Sequence, residues 1–309
     1  MGFCSIFEHN FSMQSINQKI ELVLPNGIEL FLKRDDLLHP IISGNKLRKL
    51  KYNLQEAKRL NHKRLLTFGG AFSNHIVAVA GAGKEYGFET IGVIRGEELV
   101  DKIHENPSLA FAQECGMHLH FVSRSEYRDK TAPEFIQQLH DRYGDFYLIP
   151  EGGTNDLAIQ GTEEILTNND KETFNYVCCP VGTGGTIAGI INSATANQQI
   201  IGFSSLKGDF LSDVICNFVE NTNWDINNAY HFGGYGKVSD ELIQFLNEFF
   251  QQIGIPLDPI YGGKMMFGIV DLINKNYFPA NAKILAIHTG GLQGVAGMNR
   301  VLEKNKKQT

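Results

Sequence analysis

The turn Ser43-Gly44-Asn45 delivers Lys46 to the head of a segment whose apolar spacing predicts an amphipathic helix, with Arg48 and Lys49 close behind. Three cations in a first helical turn oppose the helix dipole, so the placement conflicts with local preference. A solvated basic face explains it in one way. In the other, the amine is desolvated, held partly neutral and able to attack a carbonyl carbon.

A second signal is "PVGTGGTIAGI", residues 180–190, where a buried-looking strand runs into glycines and threonines before a helix. Gly182, Gly184 and Gly185 let the backbone bring several N–H groups and a helix N-terminus onto one anion, and Thr183 and Thr186 add hydroxyl donors. The stretch lacks both the Gly-Lys-Ser/Thr ending of a P-loop and the glycine spacing of a dinucleotide fingerprint. It reads as a phosphate cup or, taken alone, as a tight strand-to-helix turn. Third, "TFGGAFSNH" sets Ser73 and Asn74 at a helix start, where either is an ordinary N-cap. The Gly-Gly pair before them marks a strand end, the edge where open α/β sheets hold ligands. Thr289, in "AIHTGG", stands at another such edge. Tyr261, just before a helix in "DPIYGGK", is either core or a stacking platform, and Tyr235 sits in the Gly-rich "FGGYGK", outside any regular stripe.

The elements that must position these residues alternate in type. After the Lys46 helix come the apolar runs "RLLTFGG", "ETIGVI", "HLHFV" and "FYLIP", separated by helix-period segments near 74–86, 108–115 and 132–143. Beyond the turn-rich "PEGGTND" follow a helix near 157–166, the strands "YVCCPV" and "QIIGF", a helix-rich segment to Ile253, a helix over 264–276 and a last strand, "KILAIHTGG". The alternation predicts an α/β protein with mostly parallel sheets. Residues 49–150 are expected to close as a small α/β domain, with 1–48 and 151–309 forming the larger one.

Composition narrows the class. With 309 residues, 42% of them hydrophobic, the chain can bury a substantial core, and a net charge of −6 gives no reason to expect nucleic acid as a partner. No apolar run is long enough to cross a bilayer, and "MGFCSIFEHNFS" lacks the pattern of a secretion signal, so the expectation is a cytoplasmic protein. Met1-Gly2 hints at myristoylation, but Ile6 stands where Ser or Thr is required. Cys4, Cys115, Cys178, Cys179 and Cys216 are scattered without metal-ligand spacing; neither disulfides nor a metal is expected, and Cys178-Cys179 reads as small core residues. The tail "EKNKKQT" reads as a solvated end.

Taken in order along nearly the whole chain, "KRDDL…SGNKLRKL", "SNH", "GTGGT", "YGGK" and "HTGG" resemble the pyridoxal-phosphate enzymes of the 1-aminocyclopropane-1-carboxylate deaminase and D-cysteine desulfhydrase family. The resemblance implies a fold type II enzyme with pyridoxal 5'-phosphate in a cleft between two open, twisted sheets. It makes Lys46 the Schiff-base lysine. By the same resemblance Asn74 bonds the cofactor's phenolic oxygen, Gly182, Thr183, Gly184, Gly185 and Thr186 hold its phosphate, Tyr261 stacks on its ring and Thr289 bonds its ring nitrogen. Ser73, Asn74, His75 and Tyr235 face a small amino-acid substrate, and Lys46, Ser73, Tyr235 and Tyr261 form the catalytic set. A homodimer is also implied.

Within the family, the ring-opening deaminases resemble one another in a glutamate after the stacking tyrosine and a leucine in the last strand's motif, where this chain has Gly262 and Thr289. The chain is therefore more similar to the desulfhydrases. It departs from them too: Phe72 replaces a glutamine before "SN", Val77 an arginine after "SNH", and Gly262 a threonine. The implied reaction is α,β-elimination from a small amino acid, with D-cysteine as first choice. Deamination of 1-aminocyclopropane-1-carboxylate, racemisation and non-catalytic cofactor binding are the alternatives.

Overall fold

The computed structural model describes residues 13–306. Cys4, the amino-terminal stretch read for a leader and the end of the basic tail lie outside the described residues.

Among the described residues, ten strands form two sheets. They are β1 (Asn17–Lys19), β2 (Glu29–Lys33), β3 (Arg64–Gly69), β4 (Glu89–Arg95), β5 (His118–Val122), β6 (Tyr147–Ile149), β7 (Tyr176–Val181), β8 (Gln199–Ser204), β9 (Trp224–Asn227) and β10 (Lys283–Ile287). One sheet has the order β1-β2-β10-β7-β8-β9 and the other β5-β4-β3-β6. Every pairing is parallel except β1 with β2. The near-continuous apolar runs of β3, β4, β7 and β8 follow from this, because helices cover both faces of a parallel sheet.

Strand order fixes where a ligand can sit. In the smaller sheet the chain runs β3, β4, β5 in one direction and then returns to the other side of β3 with β6, so a crevice opens between the carboxyl ends of β3 and β6. In the larger sheet β7, β8 and β9 run one way while β10 lies on the other side of β7, which opens a second crevice at their carboxyl ends. Helix Asn74–Tyr86 leaves the first crevice and helix Gly185–Ser193 the second.

The core is divided in the same way. Helix Asn45–Arg59 inserts Leu47, Leu50, Leu54 and Ala57 into a cluster with Leu65, Ile76, Val79 and Ile94 of the smaller sheet unit. The larger sheet is covered on one face by a cluster including Leu30, Phe203, Met265 and Ile269, and on the other by one including Val177, Ile187, Ile190 and Leu285. Cys178 and Cys179 are fully buried within β7, and burial pushes both thiols up. The strands β1, β2 and β9 are additions to the sequence-based reading. β1 and β9 are short and polar, and pairing with a neighbour makes each a strand; β2 carries the apolar run Leu30-Phe31-Leu32, which the sequence-based reading passed over.

Candidate active site

The two crevices open onto one cavity of about 360 Å³, a size suited to a small ligand. Its walls include Lys46, Ser73, Asn74, His75, Gly182, Thr183, Gly184, Thr186, Tyr235, Tyr261 and Thr289, so residues from across the sequence meet there. Gly185 is an exception. It lies behind the cavity wall, where a Cβ would come 2.8 Å from Thr154 Oγ1 and 3.1 Å from Lys49 Nζ.

Lys46 is the second residue of helix Asn45–Arg59, and the turn before it is built by close approach. Gly44 has φ +63°, and a side chain there would run into the Thr289 carbonyl group. The Asn45 backbone N–H donates to the Thr289 carbonyl at 3.3 Å, and Asn45 Nδ2 donates to Thr186 Oγ1 at 2.7 Å. These contacts tie the turn to both strand ends of the larger sheet. Lys46 itself has no hydrogen bond or ion pair among the described residues. By surface area it is half-buried, since it borders the cavity, yet the surrounding protein lowers its pKa to about 8 by desolvation.

The neighbouring cations are not a solvated face. Arg48 is buried and forms a two-pronged pair with Asp35, at 2.6 and 2.9 Å. Lys49 is also buried; its amine donates to the Gly152 carbonyl at 2.9 Å and to Thr154 Oγ1 at 3.0 Å, beneath the glycine loop. Burial pushes its pKa well down, and the charge of Lys46 adds to the effect.

On the opposite wall the loop after β7 enters helix Gly185–Ser193 through Gly184, at φ +85°, with no side chain capping the helix. Its first backbone N–H groups are thus left for an anion. Thr183 Oγ1 lies 2.6 Å from Thr154 Oγ1. Gly182 lets the Tyr261 ring come close, since a Cβ would meet its Cε1 at 3.0 Å. Tyr261 is held by Asp258, whose carboxylate accepts from the N–H groups of Ile260, Tyr261 and Gly262 at 3.0, 2.7 and 2.8 Å. Burial pushes the Tyr261 phenol well up and raises Asp258.

Ser73 is an N-cap as well as a cavity residue: its Oγ accepts from the Ile76 N–H at 3.3 Å. Asn74 Oδ1 is buried without a hydrogen-bond partner, the mark of a polar group that awaits a ligand. His75 is buried. Thr67 Oγ1 donates to the Ile149 carbonyl at 2.8 Å, so it accepts the His75 Nε2 proton at 2.8 Å, leaving Nδ1 unprotonated and without a partner. Burial, with the charges of Lys46 and Lys49, keeps that ring neutral. Tyr235 is 44% exposed and meets Tyr261 edge to face at 6.1 Å. Its loop is fixed by the buried Lys264 amine, which donates to the carbonyls of His231 and Gly234, each at 2.8 Å.

Sequence reasoning did not select Lys49, Asp258 or Lys264. Lys49 had a usable signal, standing three residues after Lys46 on the same helix face. Asp258 had one in its place before a helix. Val77, singled out as a departure, is buried and lines no part of this cavity, whereas Phe72 lines a second cavity next to it.

The donor set is that of a site for a phosphate ester carrying a carbonyl group: an unpaired amine of lowered pKa, an uncapped glycine loop and an aromatic wall. Residues 21–290 match the model of the pyridoxal-phosphate dependent enzymes, and the chain belongs to that family. The bifunctional D-cysteine desulfhydrase/1-aminocyclopropane-1-carboxylate deaminase, mitochondrial, of Arabidopsis thaliana is 30% identical over 302 residues, covering 88% of this chain and 74% of that protein. The D-cysteine desulfhydrase of Serratia proteamaculans (strain 568) is 28% identical over 298 residues, covering 86% and 87% respectively. Among solved structures, an ACC deaminase homologue has a TM-score of 0.79 at 28% identity, over 95% of this chain and 94% of that one.

Proposed function

We propose that this protein is a pyridoxal-phosphate-dependent lyase that carries out α,β-elimination on a small amino acid, with D-cysteine, converted with water to pyruvate, hydrogen sulfide and ammonia, as the first candidate. The observation that carries the reading is the unpaired Lys46 amine facing the same cavity as the uncapped Gly182–Thr186 loop.

In this reading Lys46 holds the cofactor's carbonyl carbon. The loop residues Gly182, Thr183, Gly184 and Thr186 would hold its phosphate, with Gly185 supplying backbone and Lys49 bracing the loop through Thr154. Tyr261 would lie against its ring, Asn74 would meet its phenolic oxygen and Thr289 its ring nitrogen. When bound, the cofactor supplies an electron sink for the pair left at the substrate's α-carbon. Once the substrate's own amine has taken its place, the freed Lys46 amine, neutral near its lowered pKa, would take the α-proton. Ser73 and Asn74, at the N-terminus of helix Asn74–Tyr86, present hydroxyl, amide and backbone dipole to the substrate carboxylate. His75 backs that wall, and Tyr235 shields the open side from water.

The residues 1–48 with 151–309, and 49–150, are proposed as the two domains; the strand composition of the two sheets supports this division, except that its first boundary falls inside helix Asn45–Arg59, whose Leu47 packs with the smaller sheet unit. A cytoplasmic homodimer is proposed on the family resemblance, and sedimentation analysis measures the oligomer directly. The smaller alternative, deamination of 1-aminocyclopropane-1-carboxylate, is supported by the bifunctional Arabidopsis relative. The deciding assay measures sulfide and pyruvate from D-cysteine, with L-cysteine and 1-aminocyclopropane-1-carboxylate in parallel. Sulfide from the D-isomer supports the proposal, and 2-oxobutanoate as the dominant product overturns it in favour of the alternative.

A further inference from the structure

Beside the main cavity lies a second, of about 730 Å³, and the two share Gly70, Arg95, Glu151 and Tyr235 in their walls. We propose that this second cavity is a subsite for an acidic group on the substrate's side chain, with Arg95 as its anchor. The inference rests on the reading that the main cavity takes an amino acid, and it adds to the cysteine-sized candidates amino acids whose side chain ends in an oxyanion.

Charge bookkeeping carries the argument. The chain as a whole has a net charge of −6, yet the second cavity is lined by Arg95, Arg124, Arg128 and Lys130 against only Glu98 and Glu151. Both carboxylates are already engaged. Glu98 pairs with Arg124 at 2.9 Å, while Glu151 pairs with Lys130 at 3.2 Å and accepts from the Tyr127 hydroxyl at 2.7 Å. Arg95 and Arg128 are left without a carboxylate among the described residues, and of these two only Arg95 also borders the main cavity.

Its placement is that of a recognition residue. Arg95 ends β4, so it leaves the smaller sheet at the carboxyl edge that holds the rest of the site. Its guanidinium carbon lies 5.6 Å from the centroid of the Tyr127 ring, a contact that orients the fork without using its N–H donors. Gly70 lies directly beside the guanidinium, a Cβ there standing in ordinary contact at 3.5 Å from Nη2. The other two cations of the main cavity have other work: Lys49 is bonded to Gly152 and Thr154, and Lys46 is the carbonyl-directed amine. With the α-carboxylate at Ser73 and Asn74, the guanidinium beside Gly70, on the same sheet edge, has its natural partner in a second, two-oxygen anion, which it binds in a bidentate manner.

The test is titration of the holoenzyme with D- and L-aspartate and D- and L-asparagine, read by calorimetry and by the cofactor's absorbance, in the wild type, Arg95→Met and Arg95→Lys. Aspartate of one configuration is expected to bind at least ten-fold more tightly than the matching asparagine. Arg95→Met brings that ratio close to one, and Arg95→Lys keeps part of it. Equal binding of aspartate and asparagine by the wild type overturns the proposal, as does a preference that survives Arg95→Met. Equal loss of both ligands in Arg95→Met also overturns it, by making Arg95 the partner of the α-carboxylate. If neither these ligands nor alanine or cysteine perturb the holoenzyme, the amino-acid reading fails and the subsite with it; binding of alanine or cysteine without discrimination for aspartate sinks the subsite alone.

Discussion

Lys46 and Lys49 stand one turn apart on the same helix, both pushed down in pKa by burial, and only Lys49 has hydrogen-bond partners. The pair therefore divides two tasks, one amine fixed under the glycine loop and one left free to react. Because the Lys46 pKa is about 8, half of its amine is neutral at that pH, and the neutral fraction falls about ten-fold per pH unit below it. Labelling of cofactor-free protein by pyridoxal phosphate with borohydride trapping is expected to rise with pH, with a midpoint near 8 and all the label on Lys46. Peptide mass mapping checks the site; a midpoint at the ordinary lysine value of 10.5 means that the amine is solvated and the assignment wrong.

Holding that amine in place lowers stability. A lysine whose pKa is lower folded than unfolded penalises the folded state wherever it is charged, so the penalty is complete below about pH 8 and fades as the pH rises from 8 towards 10.5. Lys46→Met keeps the apolar stem without the charged amine, and it is expected to stabilise the cofactor-free protein at pH 7 by on the order of 1–3 kcal/mol. Urea unfolding at pH 7 and pH 10 measures the effect. A gain that does not shrink at the higher pH would point to packing rather than desolvation.

Much of this was legible in the chain, for reasons that differ by residue. Helix Asn74–Tyr86 and the strands β3, β4, β7, β8 and β10 announce themselves because apolar runs and small-residue punctuation are local properties. Gly44 is legible for a related reason, since a turn at φ +63° favours glycine, whereas the close approach of Tyr261 to Gly182 is a tertiary contact. Arg95 and Lys264 carry no such mark. Their significance lies in partners present or missing across tertiary contacts, such as the His231 and Gly234 carbonyls that occupy Lys264. Ser73 shows why alternatives read from sequence can both hold, since one hydroxyl caps a helix and borders the cavity.

Phe72 and Val77, two of the three departures from the desulfhydrase pattern, separate in the structure. Phe72 lines the second cavity, so Phe72→Gln is expected to change the ratio of kcat/KM values among amino acids by about three- to ten-fold with little loss of stability. Val77 is buried in its helix, and Val77→Arg puts an unpaired charge into the core, with an expected loss on the order of 3 kcal/mol or more. Steady-state kinetics and denaturant midpoints on the two single variants check this. A specificity change from a stably folded Val77→Arg protein refutes it.

Asp258 offers the sharpest test of how Tyr261 is placed. Its carboxylate gathers the N–H groups of Ile260, Tyr261 and Gly262, and nothing else in the turn replaces that acceptor. Asp258→Ala leaves these groups unsatisfied and is expected to lower stability by about 2–4 kcal/mol. Asp258→Asn retains one oxygen, enough for Ile260 and Tyr261, which share Oδ1, but turns an amide N–H₂ toward Gly262, so a smaller loss follows. If Tyr261 bears on the cofactor, both variants weaken pyridoxal phosphate binding in proportion to that loss, by at least ten-fold in Asp258→Ala. Fluorescence titration with the cofactor reads this directly. Undiminished affinity in a destabilised Asp258→Ala protein shows that Asp258 supports the fold alone and that Tyr261 is not the cofactor's wall.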